Sequence, residues 1–202
     1  MEKIILSTRN PGKATQAKAI FAGSPFEIIT LDEAQIEGEA VEDGSNLYEN
    51  AKKKARYAWD KAGSCRWTIA EDTGLFVQIL KGAPGIRSGR WAGEKASTEE
   101  ITRFMLKAME GKKNRQAFFE TVVVVIDPTG DDRLWSGTCH GKLLTEPRGP
   151  AKPRMPYGPI FVPRGEKRSL VEMTVEEQNA LSARGQAFRR ARAYLEETLS
   201  AL

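Results

Sequence analysis

The apolar run Ile4-Ile5-Leu6 passes directly into Ser7-Thr8-Arg9-Asn10-Pro11-Gly12-Lys13, a stretch of turn chemistry. A helical pattern follows over residues 14–22, with Ala17, Ile20 and Phe21 on one side and Gly23 as a stop. A buried strand needs a sheet to join, and an amphipathic helix needs a face to cover. This opening therefore commits the chain to mixing strands with helices. Residues 26–30 read as a second strand.

The same alternation continues. Past the acidic residues Glu37, Glu39, Glu42 and Asp43, Ser45 is placed to cap a helix that runs to about Ala62 and closes at Gly63. Lys52, Lys53 and Lys54 lie inside it and fan over about 200° of arc, so they cannot all face one site. Trp67-Thr68-Ile69-Ala70 reads as a strand delivering Glu71 and Asp72 at its end, and a glycine-rich loop spans residues 82–93. Ser97-Thr98-Glu99-Glu100 is a capping box opening a helix to about Met109. Residues 116–127 and 133–141 flank Pro128-Thr129-Gly130-Asp131 as a long hairpin. Prolines at 147, 150, 153, 156 and 159 match the turn of polyproline II and predict an extended loop. Thr174, with Glu177, caps a last helix running to the C-terminus. The sum is an α/β chain without an evident linker, read as one domain over residues 1–202.

Composition closes off several alternatives. Of 202 residues, 40% are hydrophobic and 29% charged, which fits neither a disordered chain nor a membrane protein. The longest apolar stretch, Val122-Val123-Val124-Val125-Ile126, is far short of the roughly 20 residues of a spanning helix. MEKIILSTRN lacks an apolar signal core, and Cys65 and Cys139 form no zinc or redox pattern, so a cytoplasmic location with buried thiols is expected. His140 is the sole histidine, so any enzyme chemistry falls to carboxylates and lysines. The net charge of +4 suits anionic partners in general; the basic stretches lack the interleaved aromatics that single-stranded nucleic acid favours, so no stable nucleic-acid partner is expected.

Residues 8–13 are the first candidate site. Short polar residues between a strand and a helix leave backbone N–H groups aimed at the helix N-terminus, with Thr8, Asn10 and Lys13 adding side-chain donors. That arrangement suits phosphate oxygens, and equally serves as an ordinary connection. Glu71 and Asp72 have the chemistry to bind Mg²⁺ and orient a water, or to act as a general base, and also read as a solvated acidic turn. Glu42 and Asp43 are a distant pair for the same metal. The glycine loop is placed to close over a ligand, and Arg184 is either a ligand donor or one more solvated arginine.

Taken in order, these segments resemble the inosine triphosphate pyrophosphatase family over nearly the whole chain. The resemblance is carried by Ser7-Thr8-Arg9-Asn10-Pro11-Gly12-Lys13, by Tyr48-Glu49-Asn50-Ala51, by Glu71-Asp72-Thr73-Gly74-Leu75, and by the run from Gly82-Ala83-Pro84-Gly85 to Arg90-Trp91-Ala92-Gly93. It implies an elongated α/β fold, with a central mixed, twisted sheet and flanking helices in two lobes around a cleft, usually a homodimer. It also implies Mg²⁺-dependent hydrolysis of nucleoside triphosphates, typically of deaminated purines, to the monophosphate and pyrophosphate. A nucleotide-binding relative with little turnover is the alternative.

By motif position Asp72 is the general base and a metal ligand, with Glu71 beside it and Glu42 the second metal carboxylate. Thr8, Asn10, Lys13 and Lys54 hold the triphosphate, with Thr73 next to it. Tyr157, Gln178 and Arg184 fall at the base-binding positions. There the chain departs from the family pattern: Met155 and Gly158 replace an aromatic and an acid, Gln178 a lysine and Ala183 a histidine. Losing groups that hydrogen-bond a substrate forfeits discrimination, so a weakened or redirected preference for 6-oxopurines is expected.

Overall fold

Strand β1 (Glu2–Leu6) lies parallel to β2 (Phe26–Thr30), and helix α1 (Pro11–Phe21) makes the crossover that parallel strands require. The register pairs Glu2 with Phe26 and Leu6 with Thr30. The structure is a computed structural model that describes residues 1–200. The other elements are α2 (Leu47–Lys61), β3 (Thr68–Val77), β4 (Pro84–Gly85), α3 (Thr98–Ala108), β5 (Gln116–Ile126), β6 (Asp132–Leu143), β7 (Phe161–Pro163), α4 (Val175–Leu181) and α5 (Ala183–Ser200). The strands hydrogen-bond in the order β2-β1-β3-β5-β6-β7, with β4 on β3. β1 pairs parallel with β2 and β3, whereas β4 runs antiparallel to β3 and β7 to β6, so the sheet is mixed. Among the described residues no helix is long and apolar enough to cross a membrane.

Two compact units share the chain. The first comprises Met1–Asp72, Thr121–Gly137 and the chain from Ala183 on. Strand alternation sorts its core into two layers. Ile4, Leu6, Phe26, Ile28 and Ile69 pack with Ala14, Ala17, Ile20 and Phe21 of α1 and with Ala187, Phe188, Ala191 and Leu195 of α5. Ile5 points the other way, toward Leu31, Ile36 and Ala58 of α2. Phe188 and Leu195 are completely buried, each contributing about 1.5–3 kcal/mol of hydrophobic stabilisation.

The second unit comprises Thr73–Glu120 and Thr138–Ser182. Leu75, Met105, Leu143, Ile160 and Phe161 are among its most deeply buried apolar side chains. Phe119 meets Phe161 edge-on at 4.8 Å, and Phe76 stacks on Phe118 at 5.0 Å. The capping box is present as expected: Ser97 Oγ accepts from Glu100 N at 3.2 Å, and Glu100 Oε2 accepts from Ser97 N at 2.7 Å.

Several sequence expectations need correction. Helix α1 begins at Pro11 rather than Ala14, because Asn10 caps it and proline at the first position loses no helical hydrogen bond. Asn46, not Ser45, caps α2. The acidic pair is not at a strand end. β3 continues through Glu71 and Asp72 to Val77, so the two carboxylates are interior and point to opposite faces. The last helix is two, broken at Ser182, whose ψ of 154° is extended. Cys65 is exposed, and only Cys139 is buried, which pushes its thiol up to about 11. The proline-rich stretch closes in a turn of 3₁₀ helix at Gly158–Ile160, not in extended chain.

Candidate active site

The loop after β1 is already hydrogen-bonded within itself. Asn10 Oδ1 accepts from Gly12 N at 3.0 Å and Lys13 N at 3.3 Å, and Thr8 Oγ1 accepts from Asn10 N at 3.2 Å. The backbone cradle expected from residues 8–13 is thus committed to capping α1 in this state. What the loop presents instead is Lys13, whose side chain remains 22% exposed.

Lys13 Nζ lies 2.7 Å from Glu71 Oε1, and Arg184 Nε reaches that same oxygen at 3.3 Å. Arg184 Nη1 also donates to Gln16 Oε1 at 2.5 Å. Glu71 shares its face of β3 with Ile69, the face covered by α1 and α5, so these groups converge by strand alternation. Burial alone would raise the Glu71 carboxyl, but Arg184, Lys13 and Lys54 outweigh it and hold it well below the ordinary carboxylate range. Burial acts on Lys13 the other way and, against the pull of Glu71, lowers it.

Asp72 occupies the opposite face, toward α2. Its Oδ1 is 2.7 Å from Lys54 Nζ, and its Oδ2 accepts from Asn50 Nδ2 at 3.3 Å. The Asn50 carbonyl oxygen in turn accepts from Gly44 N at 2.8 Å, tying down the segment that carries Glu42, and Glu42 Oε1 is 3.2 Å from Lys54 Nζ. The three consecutive lysines take separate partners: Lys52 goes to Asp132, Lys53 to Asp43, and Lys54 to Asp72 and Glu42. Burial dominates at Asp72 and raises its carboxyl despite Lys54 and Lys13. Lys54 is itself raised: burial would lower it, and Asp72, Glu42 and Glu71 more than offset that.

Adjacent residues in one strand thus have their acidities driven apart. Such a divergence gives Glu71 the character of a fixed anion and Asp72 the chemistry to accept a proton.

Thr73, Tyr157 and Gln178 belong to the second unit. Thr73 is half-buried in β3. Tyr157 is buried, its hydroxyl donating to Ser88 O at 2.8 Å, and burial raises the phenol far above its usual value. Gln178 is buried too, its amide donating to Met173 O at 3.0 Å. Gly158 is packed so closely that a Cβ there would meet Val171 Cγ1 at 2.7 Å. Glu42, Glu71, Asp72, Thr8, Asn10, Lys13, Lys54 and Arg184 all fall in the first unit.

Sequence reasoning gave no role to Asn50 or Gln16. Both sit on the buried stripe of their helix among alanines, and Lys54 shares that stripe with Asn50 one turn away. A polar side chain at an alanine-lined position was the available signal, since a buried amide needs partners.

The Ham1 family profile matches residues 4–194. The chain belongs to the Ham1 family. Among relatives of this Ham1 chain, the dITP/XTP pyrophosphatase of Thermoanaerobacter pseudethanolicus is 38% identical over 195 residues, covering 96% of each chain. That of Geobacter sulfurreducens is 35% identical, covering 93% of each. A HAM1 protein from Coxiella burnetii has a similar solved structure, with TM-score 0.85 and 30% identity, over 98% of this chain and 100% of that one. The Staphylococcus aureus Ham1 protein gives TM-score 0.83 at 29% identity, with the same coverage.

Proposed function

We propose that this Ham1 protein hydrolyses deaminated purine nucleoside triphosphates to the monophosphate and pyrophosphate. The observation that carries the reading is the buried Asp72 carboxylate, its two oxygens held by Lys54 and Asn50. The relatives named dITP/XTP pyrophosphatase support the substrate class.

Asp72 takes the proton from a water whose oxygen attacks the α-phosphorus. The bond from that phosphorus to the bridging oxygen breaks, and pyrophosphate leaves with the bonding electrons. Lys13, Arg184 and Lys54 supply positive charge where negative charge accumulates on the phosphate oxygens. Glu71 fixes two of those cations and stays ionised. Thr8 and Asn10 shape the loop that carries Lys13.

Mg²⁺ is proposed as the cofactor, held by Glu42 and Asp72. Among the described residues no group of three or more acidic, histidine or cysteine side chains is arranged around a cation. The pair nonetheless fits, because Glu42 and Asp72 already share one cation, the Lys54 ammonium, and Mg²⁺ commonly takes one or two carboxylates plus substrate phosphates. Bound there, it would act as a Lewis acid on phosphoryl oxygens. A cytoplasmic homodimer is proposed with it, and light scattering of the purified protein tests the oligomeric half.

Asp72→Asn is expected to lower kcat at least a thousandfold while triphosphate binding persists, as read by pyrophosphate release and by equilibrium binding. A variant retaining full turnover would remove Asp72 from the chemistry, and a wild type without turnover would leave a nucleotide-binding protein. A panel of inosine, xanthosine, uridine, cytidine and adenosine triphosphates reads the base preference. Turnover of the first two identifies the deaminated purines. A flatter profile is the expected mark of Met155, Gly158, Gln178 and Ala183.

A further inference from the structure

Lys54 is bound by both carboxylates proposed to hold the metal. Its Nζ is 2.7 Å from Asp72 Oδ1 and 3.2 Å from Glu42 Oε1, and the side chain is only 11% exposed. A divalent ion held by Glu42 and Asp72 would have to share these carboxylates with the ammonium. Two cations brought close together in a poorly solvated site repel strongly. The ammonium and the metal are therefore competing occupants of one acidic pair.

We infer that Lys54 is the resident counter-ion of Glu42 and Asp72, and gives up that pair only when a polyphosphate arrives to receive its ammonium. The species the protein takes up is then the metal–triphosphate complex, not triphosphate added to a metal-loaded protein. This rests on the metal pair proposed above.

Three observations favour the exchange. With Glu42 and Asp72 given to a metal, only Glu71 would still oppose the Lys54 charge, and a buried ammonium so under-compensated is costly, so the metal alone leaves Lys54 worse placed. The other cations nearby do not offer a substitute route, since Lys13 and Arg184 are engaged by Glu71 on the opposite face of β3. Asp72 need not move, because Asn50 grips its other oxygen and is in turn fixed by Gly44, while Lys54 sits on a flexible four-carbon stem. The anchored partner is the carboxylate and the mobile one is the lysine.

Mn²⁺ binding without nucleotide, followed by loss of the free-ion electron paramagnetic resonance signal, tests the inference. Lys54→Met is expected to bind Mn²⁺ at least tenfold more tightly than wild type, and to gain more thermal stability from Mn²⁺ than wild type does. Wild-type affinity within threefold of the variant's would overturn it. Glu42→Gln and Asp72→Asn separate the two layers of the claim. If they weaken Mn²⁺ binding but Lys54→Met brings no gain, the metal pair stands and the lysine inference falls. If neither weakens it, the metal pair itself falls. Should Lys54→Met not fold, nitrogen-15 spectra of the wild-type lysine ammonium groups decide the matter. Mg²⁺ alone should leave the Lys54 signal in place, and Mg²⁺ with a non-hydrolysable triphosphate should shift it; a shift with Mg²⁺ alone overturns the inference.

Discussion

Asn50 shows how one side chain can tie a loop to a buried carboxylate. Its amide spans Gly44 N and Asp72 Oδ2. Asn50→Ala leaves the Gly44 N–H without its acceptor, a loss of about 1–3 kcal/mol that chemical denaturation would read. It also frees the Asp72 carboxylate to rotate, so kcat should fall further than the KM changes. Glu71 makes a pH-dependent contribution. Its folded-state acidity is held below the ordinary glutamate range by Arg184, Lys13 and Lys54 despite the opposing effect of burial. The stabilisation is therefore full above about pH 4.3, where an unfolded glutamate is ionised, and is lost as pH falls toward the lower folded-state value. Glu71→Gln should cost about 3–5 kcal/mol at neutral pH, because Lys13 and Arg184 lose a buried anion. That gap should narrow steadily in acid, and denaturation curves from pH 7 to pH 2 would show whether it does.

At the level of elements, the first turn of α5 carries Arg184, and β6 packs on it through Gly137. A Cβ at Gly137 would collide with the Ala183 carbonyl and lie 2.8 Å from Gln186 Cβ and 3.0 Å from Ala187 N. Gly137→Ala should destabilise the protein by about 1–3 kcal/mol through overpacking. It should also raise KM for the triphosphate by displacing Arg184 from Glu71; thermal melts and steady-state kinetics check the two parts. The break at Ser182 was not legible from periodicity. Apolar spacing continues across it, the serine is compatible with helix, and the extended ψ arises from where the flanking helices pack. The start of α1 was masked differently, because Asn10-Pro11-Gly12 spells a turn as readily as a capped helix entry. The box at Ser97 and Glu100, by contrast, was readable because it is closed by residues three apart.

Across the whole molecule, basic residues exceed acidic ones by four, and the proposed substrate is a polyanion. Long-range attraction should assist its capture and be screened by salt, as the Debye length falls from about 30 Å at 0.01 M to about 10 Å at 0.1 M. KM should rise over that range while kcat holds nearly constant, because buried contacts such as Lys54 with Asp72 are screened far less. A kcat falling in step with KM's rise would place the salt effect inside the site instead.

Most of the order of strands and helices, the capping boxes, the hairpin and the separation of the three lysines were in the sequence, because each depends on residues a few positions apart. Which face of β3 each carboxylate takes, and which cations meet it there, were not. Glu71 meets Arg184 across 113 positions and Asp72 meets Lys54 across 18. Such pairings exist only once the sheet has brought distant helices onto its two faces: there Arg184, Lys13 and Lys54 hold Glu71 acidic against its burial, while burial prevails at Asp72 and raises it.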